Sequence, residues 1–285
     1  MQGKRSGCMI RSIMKAFRPV VADTSVAIPG VRRPHTFLQL GDMHLAVADA
    51  MSGDEERNEA EKRTAQWMSG RNYFADKFGE SCANVEGVPP ADIFEGFLKF
   101  AKVEKPDALL FSGDILDYQH EAGMRLLRER RAASASPWLF APGNHESETR
   151  EGLWNGMPAV MEFDGFRIVA FDNSRKTVSN PALDSLEALL AGTTPTILLY
   201  HVPLVTDGNR AALARLDPYF YIEDATADEN ARRLLGLVTT SPSVALCLCG
   251  HVHFFSDTWL TPSLRQITCS QGLAGSFLRL TVGRG

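Results

Sequence analysis

The sequence predicts an α/β fold. Two observations carry that prediction. Short apolar runs of four to six residues each end in a Gly- or Pro-containing polar turn, and amphipathic helical patterns lie between them. The 285-residue length, with 44% hydrophobic and 22% charged residues, suits a chain with a sizeable core. It excludes disorder, collagen or coiled coil as whole-chain descriptions.

Residues 1–22 carry Lys4, Arg5, Arg11, Lys15 and Arg18 and no acid. Arg11 and Lys15 interrupt the apolar stretch that a secretory signal needs. Residues 1–33 are therefore expected to form a flexible N-terminal extension, with an amphipathic or transit-like leader as the competing reading. It is the one part of the chain suited to a membrane surface. The segment around Pro29–Pro34 reads as a linker into a domain spanning 34–285. Strands are expected at Thr36–Leu40, Ala108–Phe111, Trp138–Ala141, Arg167–Phe171, Thr196–Tyr200 and Val244–Leu248. Most lack alternation, as strands buried on both faces do. Trp259–Leu260, Leu264–Thr268 and Phe277–Val282 read as closing antiparallel strands.

Helices are expected where Ile93, Phe94, Phe97, Leu98 and Ala101 recur after Pro90 and Asp92, over Glu121–Ala133, and through Leu183, Leu186, Leu189 and Leu190 after Pro181. Another is expected over Thr226–Leu237, with Thr226 and Glu229 spaced as a capping box. Two stretches break the alternation and read as insertions. Residues 46–90 are polar, helical over Glu55–Met68, and carry Trp67, Tyr73, Phe74 and Phe78; residues 204–225 are loop-rich with Tyr219, Phe220 and Tyr221. Insertions of this length serve as lids or binding loops, or as peripheral packing.

A net charge of −4 and a pI near 6.0 provide no basic field for polymeric nucleic acid. Cys8, Cys82, Cys247, Cys249 and Cys269 are scattered with no CxxC, which argues against a disulfide framework and for a reducing, cytoplasmic setting. No apolar run reaches 18 residues, so no transmembrane helix is expected. No residue pattern specifies an oligomer.

The strand ends carry the chemistry. The first runs into Gly41-Asp42-Met43-His44, the second into Gly113-Asp114-Ile115-Leu116-Asp117, and the third into Gly143-Asn144-His145-Glu146. The Thr196 strand ends in His201-Val202-Pro203 and the Val244 strand in Gly250-His251-Val252-His253. Ligands of open α/β sheets bind at this carboxyl edge. Asp42, His44, Asp114, Asn144, His201, His251 and His253 supply imidazole nitrogens and oxygens without thiolates. That set suits Mn, Fe, Co or Zn, and seven donors are too many for one open tetrahedral site. Two metals sharing a carboxylate fit the number better.

The ordered series D-x-H, GDxxD, GNHE, a strand-end His and GHxH resembles the calcineurin-like metallophosphoesterase superfamily, and its branch of bacterial phosphodiesterases and phosphatases. Phe171-Asp172-Asn173-Ser174 and Tyr200-His201-Val202-Pro203 are similar to flanking segments of that branch. The resemblance covers roughly residues 36–282 and is weakest over the two insertions. GDxxD alone is a weak signal; GNHE and GHxH are each moderately specific, and five blocks in order are strong.

The resemblance implies a two-sheet β-sandwich flanked by helices. It implies one metal held by Asp42, His44, Asp114 and His253 and a second by Asp114, Asn144, His201 and His251, with manganese the first expectation. It also implies in-line hydrolysis by a hydroxide shared between the metals, with His145 beside the leaving oxygen and Asp117 orienting His145. The expected substrate is a small phosphodiester or phosphomonoester. A pyrophosphate-bond hydrolase of a lipid-linked nucleotide sugar and a non-catalytic metal-binding interaction module stand as alternatives. Asp117 occupies the position where purple acid phosphatases place a Tyr, and Tyr118-Gln119 stands where Ser/Thr protein phosphatases have Arg-Gly. Both subgroups are disfavoured.

Other residues have plainer expectations. His35 reads as a surface residue and His120 as an exposed first-turn residue. Cys247 and Cys249, two apart on one strand, read as buried small hydrophobes rather than ligands. Arg125, Arg128, Arg130 and Arg131 read as a solvated helix face. Trp67, Tyr73, Phe74 and Tyr219–Tyr221 read as core or lid packing.

Overall fold

The computed structural model describes residues 19–79, 85–146, 157–214 and 216–285. Cys8, Cys82 and the basic residues of the N-terminal leader lie outside them.

Two sheets stack face to face. The first contains β1 (Val20–Ile28), β2 (His35–Leu40), β3 (Ala108–Phe111), β4 (Trp138–Phe140) and β13 (Ser276–Arg284), in the order β1-β13-β2-β3-β4. The second contains β5 (Ala159–Phe163), β6 (Phe166–Ala170), β7 (Thr196–Leu199), β10 (Val244–Cys249), β11 (Ser256–Thr261) and β12 (Leu264–Thr268), in the order β11-β12-β10-β7-β6-β5. Strands β2, β3 and β4 are mutually parallel, and so are β6, β7 and β10. Their carboxyl ends therefore collect at one edge of the sandwich.

Continuous apolar runs are explained by what covers each face. Phe37, Leu110, Ile168, Ile197, Leu248, Ile267 and Leu280 fill the space between the sheets. The outer face of the first sheet packs Phe111 and Trp138 against Phe94 and Phe97 of α2 (Pro90–Glu104) and Met124 and Leu127 of α3 (Glu121–Ala133). The outer face of the second packs Leu198, Cys247 and Cys249 against Leu183 and Leu186 of α4 (Asn180–Leu190) and Leu234 and Val238 of α5 (Glu229–Thr240). Along β10, Leu246 and Leu248 point to one core and Cys247 and Cys249 to the other, as strand alternation requires. The two cysteines are free and buried.

Several expectations are corrected. Val20–Ile28 is not part of a flexible extension: it forms an edge strand paired in parallel along the length of β13. Its alternating half-buried pattern, Val, Ala, Thr, Val, Ile, is that of a strand with one wet face. The closing strands are of mixed direction, since β11 runs antiparallel to β12 while β12 runs parallel to β10. Helix α5 is capped by Asp228, whose carboxylate accepts from Ala231 N–H at 2.7 Å, and not by Thr226. His35 is buried, paired with Asp107 at 3.2 Å and wedged edge-on against Phe163 and Phe166. The arginines of α3 are partly engaged: Arg125 pairs with Asp49 at 2.8 Å and Arg130 with Glu95 at 2.5 Å. Among the described residues no helix is long and apolar enough to cross a membrane.

The 46–90 insertion is dominated by α1 (Asp54–Phe78). Its mean hydropathy is low, and polar anchors fasten it. The buried Arg71 guanidinium donates to the carbonyls of Val85 and Val88 at 2.6 Å each. Thr64 donates to Ala46 O at 3.0 Å, and Gln271 donates to Arg71 O at 2.6 Å. The 204–225 insertion holds β8 (Leu204–Val205) and β9 (Ile222–Glu223), paired in parallel.

Candidate metal centre

All seven expected ligands converge at the shared carboxyl edge. Asp42 and His44 follow β2, Asp114 follows β3, Asn144 follows β4, His201 follows β7, and His251 and His253 follow β10. Ligand atoms of Asp42, His44 and His253 lie within 4.8 Å of one another, and those of Asp114, His201 and His251 form a second such triad. His44 Nε2 is 3.2 Å from His253 Nε2, and His253 Nε2 is 3.4 Å from Asp42 Oδ1. His201 Nε2 is 3.2 Å from both Asp114 Oδ2 and Asn144 Oδ1.

The turns that aim these side chains are conformationally unusual. Asp42, His44, Asp114, His251 and His253 all have φ between 48° and 71°, the left-handed region that L-residues avoid. Neighbouring backbone holds them there. Asp42 N–H donates to Gly113 O at 3.0 Å, Met43 and His44 N–H both donate to Asp114 O, and His251 N–H donates to the Asp42 carboxylate at 3.1 Å. Gly143 lies so close beneath Asp114 that an added Cβ would stand 2.7 Å from the carboxylate carbon.

Two residues given no role in the sequence reading shape the site. Glu146, buried, accepts from the backbone N–H groups of Asp114 at 3.0 Å, Gly143 at 2.9 Å and Leu116 at 2.7 Å, tying the β3 and β4 turns together. Asn173 accepts from His201 and Val202 N–H at 3.0 Å each and donates to Val202 O at 2.7 Å, so it sets the backbone that presents His201. The GNHE and FDNS strings contain these residues. Apart from Gly143, their partners lie about thirty positions away, beyond the reach of local pattern.

His201 donates from Nδ1 to Ser112 O at 2.7 Å, which reserves Nε2 for the cluster, the arrangement a metal-ligating imidazole requires. His145 is placed differently, although it forms a third close group with His44 and Asp114 and its ring meets His44 edge-on. Its Nδ1 donates to Asp117 O at 2.6 Å and lies 3.2 Å from Asp117 Oδ1, and its side chain is 30% exposed where His201 is fully buried. Nε2 of His145 is thus the nitrogen left to meet a ligand. Asp117 is further held by Arg63 Nη1 at 2.9 Å and Trp67 Nε1 at 2.7 Å, both from α1. The Trp67 indole stacks on His44 with ring centres 3.7 Å apart and planes 14° off parallel. Trp67 is therefore not simple core or lid packing. His120 is not an exposed first-turn residue either: it donates from Nδ1 to Tyr118 O and accepts from Val47 N–H, fastening the start of the insertion. On the far side, the rings of Tyr219 and Phe220 stand 6.2 and 5.5 Å from His251. Tyr221 instead packs in a separate buried cluster with Val252 and Phe254.

The electrostatics test whether these residues fit a metal. Burial and the neighbouring Asp114 push the Asp42 carboxyl up to about 8, although the His201 charge opposes the shift. Burial and the His201 charge pull His251 down to about 3. Burial disfavours an ionised Asp114 and a charged His201, but their mutual attraction outweighs it, lowering Asp114 and raising His201 to about 9. Ligand atoms of two carboxylates and four imidazoles thus crowd together, within 4.8 Å inside each triad, and their protonation is pulled in opposite directions. Divalent cations in the two triads would turn that conflict into ligation, so the residues fit a pair of metals with mixed N and O donors. His145 differs again: burial works against its charge, but the Asp117 hydrogen bond and the Asp114 charge prevail and raise it to about 9.

A family model described as calcineurin-like phosphoesterase matches residues 35–255. A glycerophosphodiester phosphodiesterase, GpdQ, of Enterobacter lignolyticus is 32% identical over 174 residues, covering 54% of this chain and 59% of that protein. A probable cyclic nucleotide phosphodiesterase of Rhodococcus erythropolis is 29% identical over 170 residues, covering 53% of this chain and 52% of that one. The chain thus spans less than two thirds of either relative's length. The solved structure of a dimetal phosphatase from Danio rerio superposes with a TM-score of 0.53 at 14% identity. It covers 84% of this chain and 88% of that one, and it bears on the fold alone.

Proposed function

The chain belongs to the calcineurin-like phosphoesterase family, and from that premise we propose that it is a dinuclear-metal hydrolase of a small phosphodiester or phosphomonoester. The observation that carries this reading is the pair of buried triads, Asp42/His44/His253 and Asp114/His201/His251, beside the partly exposed imidazole of His145, which lies close to one member of each, His44 and Asp114. Asp42, His44, Asp114 and His253 would hold one metal, and Asp114, Asn144, His201 and His251 the other. Manganese is the first expectation, with Fe, Zn or Co as further candidates. When bound, such a pair neutralises phosphoryl oxygens and supplies a deprotonated water at neutral pH.

The remaining work falls to this chain's own side chains. His145 has its Nδ1 proton committed to Asp117, so Nε2 carries the proton that can pass to the departing oxygen. Asp117 keeps that imidazole in one orientation and favours its charged form. Ser112 O and Asn173 keep His201 in its ligating tautomer and position. Tyr219, 59% exposed beside His251, offers an apolar wall to the ester's organic portion.

Neither alternative finds support. What supports catalysis over a non-catalytic module is that the seven candidate ligands, His145 and Asp117 lie together at one edge. The lipid-linked reading leans on a basic leader outside the described residues. Glycerophosphodiesters, the substrate class in the name of one relative, and cyclic nucleotides, in that of another, head the panel to test. The experiment is metal analysis of purified protein with turnover of chromogenic mono- and diesters after loading with Mn, Zn, Fe or Co. We expect two metals per chain and hydrolysis of at least one ester class. Full loading without hydrolysis of either would overturn the reading.

A further inference from the structure

We propose that one face of α1, formed by Glu59, Arg63 and Trp67, is a positioning clamp for the Asp117–His145 pair. The proposal rests on the phosphoesterase reading of this site. The three residues are spaced i, i+4, i+8, so they line one stripe of the helix. Trp67 Nε1 donates to Asp117 Oδ1 at 2.7 Å, and Arg63 Nη1 donates to Asp117 Oδ2 at 2.9 Å. Each carboxylate oxygen therefore has its own donor from α1, which fixes the plane of the group. Asp117 Oδ1 and its carbonyl then meet the single Nδ1 proton of His145 at 3.2 and 2.6 Å.

The clamp is itself braced. Glu59 holds Arg63 at 2.6 Å, and the Arg63 guanidinium lies 4.5 Å over the Tyr118 ring. The ties of Arg71, Thr64 and Gln271 to the body keep the helix from sliding. Packing alone does not explain this face. The indole N–H needs an acceptor and the buried Asp117 carboxylate needs donors, but that need does not dictate that both donors come from one stripe of one helix, one to each oxygen of the carboxylate that holds His145. The hydrogen bonds of Arg63 and Trp67 reach the reaction through Asp117, while the Trp67 ring also packs on His44, a contact that Trp67→Phe retains in kind. They are positioning residues, and the insertion that carries them is part of the active-site framework.

The test separates positioning from stability by leaving-group dependence. Trp67→Phe keeps an aromatic ring against His44 and removes the N–H; Arg63→Met keeps chain length and removes the charge. Turnover is measured on aryl phosphate esters of graded leaving-group acidity, with metal content and melting temperature checked for each protein. If the clamp orients a proton donor, kcat falls about 10-fold for the poorest leaving group and less than about 2-fold for the best, with KM nearly unchanged. In a His145→Ala background the same substitutions change kcat less than about 2-fold, because the coupled partner is gone. Equal losses across all leaving groups, or undiminished losses in that background, would overturn the proposal. Should wild-type protein hydrolyse no ester, the phosphoesterase reading fails instead. The clamp is then judged by a crystal structure of the Arg63→Met/Trp67→Phe protein: retention of the 3.2 Å Asp117–His145 contact would refute it and its loss would support it. If Trp67→Phe does not fold, Arg63→Met, at a position 35% exposed, carries both tests.

Discussion

Replacing Gly143 with alanine places a methyl group against the one carboxylate we assign to both metals. The added Cβ would lie 2.7 Å from Asp114 Cγ, with the Asp114 amide and Oδ1 nearer still, where ordinary contact begins at about 3.4 Å. Backbone and carboxylate must therefore part by close to 1 Å. Glu146 opposes that movement, since it accepts from both Gly143 and Asp114. Displacing Asp114 disturbs three contacts together: Oδ2 with His201 at 3.2 Å, Oδ1 with His145 N–H at 3.0 Å, and the carbonyl that accepts from Met43 and His44. A misplacement of about 1 Å costs on the order of 10²-fold in turnover. We expect Gly143→Ala to lose at least that much kcat on a chromogenic ester and to bind fewer than two metals per chain. The assay pairs elemental analysis with steady-state kinetics. A variant that loads two metals and turns over within about 3-fold of wild type would refute the reasoning.

Other outcomes follow from the same geometry. Gly236→Ala, on the exposed face of α5 with nothing within 4 Å of the added Cβ, raises stability by about 0.5–1 kcal/mol, read from denaturant melts, and leaves activity unchanged. His145→Ala keeps both metals and loses about 10²-fold or more in kcat; equal turnover would remove His145 from the chemistry. Asp49 is held at about 2 by its hydrogen bond to Arg125, below its ordinary 3.8. A carboxylate with a depressed folded pKa stabilises fully above the unfolded value and loses that effect as pH falls through the folded one. The melting-temperature gap between wild type and Asp49→Asn is thus largest above pH 4 and closes toward pH 2. A gap that persists at pH 2 would contradict the assignment.

Ligand positions were legible because each rides on a strand buried on both faces, and such strands declare themselves by continuous apolar runs. Once Leu38, Leu110, Leu139, Leu198 and Leu248 are read as interior, the polar residues that follow them must emerge at one edge. What escaped the reading depends on partners distant in sequence. Trp67 and Arg63 find Asp117 fifty or more positions later, and nothing local marks an indole for a carboxylate rather than a core. Strand β1 is a sheet edge completed by β13, some 250 residues away, so nothing next to it in sequence marks its alternation as a strand. The α5 cap failed for a local reason: Thr226 and Asp228 both precede the helix, and the carboxylate is the stronger acceptor for an orphan N–H.

The left-handed backbone at Asp42, His44, Asp114, His251 and His253 joins the fold to the site's chemistry. Each such residue carries a conformational cost of about 1–2 kcal/mol, which persists only where surrounding structure over-determines it. The over-determination is visible: the Asp42–Leu45 turn is hydrogen-bonded to the Gly113–Ile115 turn residue by residue, and His251 N–H is fastened to Asp42. The last of these contacts crosses between the two sheets, since Asp42 follows β2 of one and His251 follows β10 of the other. Gln39 adds a further tie, donating across the sandwich to Cys249 O at 2.9 Å. Each triad draws ligands from both sheets, so the span across each triad is set by the inter-sheet core as well as by the turns themselves. Substitutions that thin the core beneath these turns, at Leu110 or Leu248, should alter metal affinity without touching a ligand. The site is best regarded as the upper layer of that core, with its polar atoms strained toward a space that cations would fill.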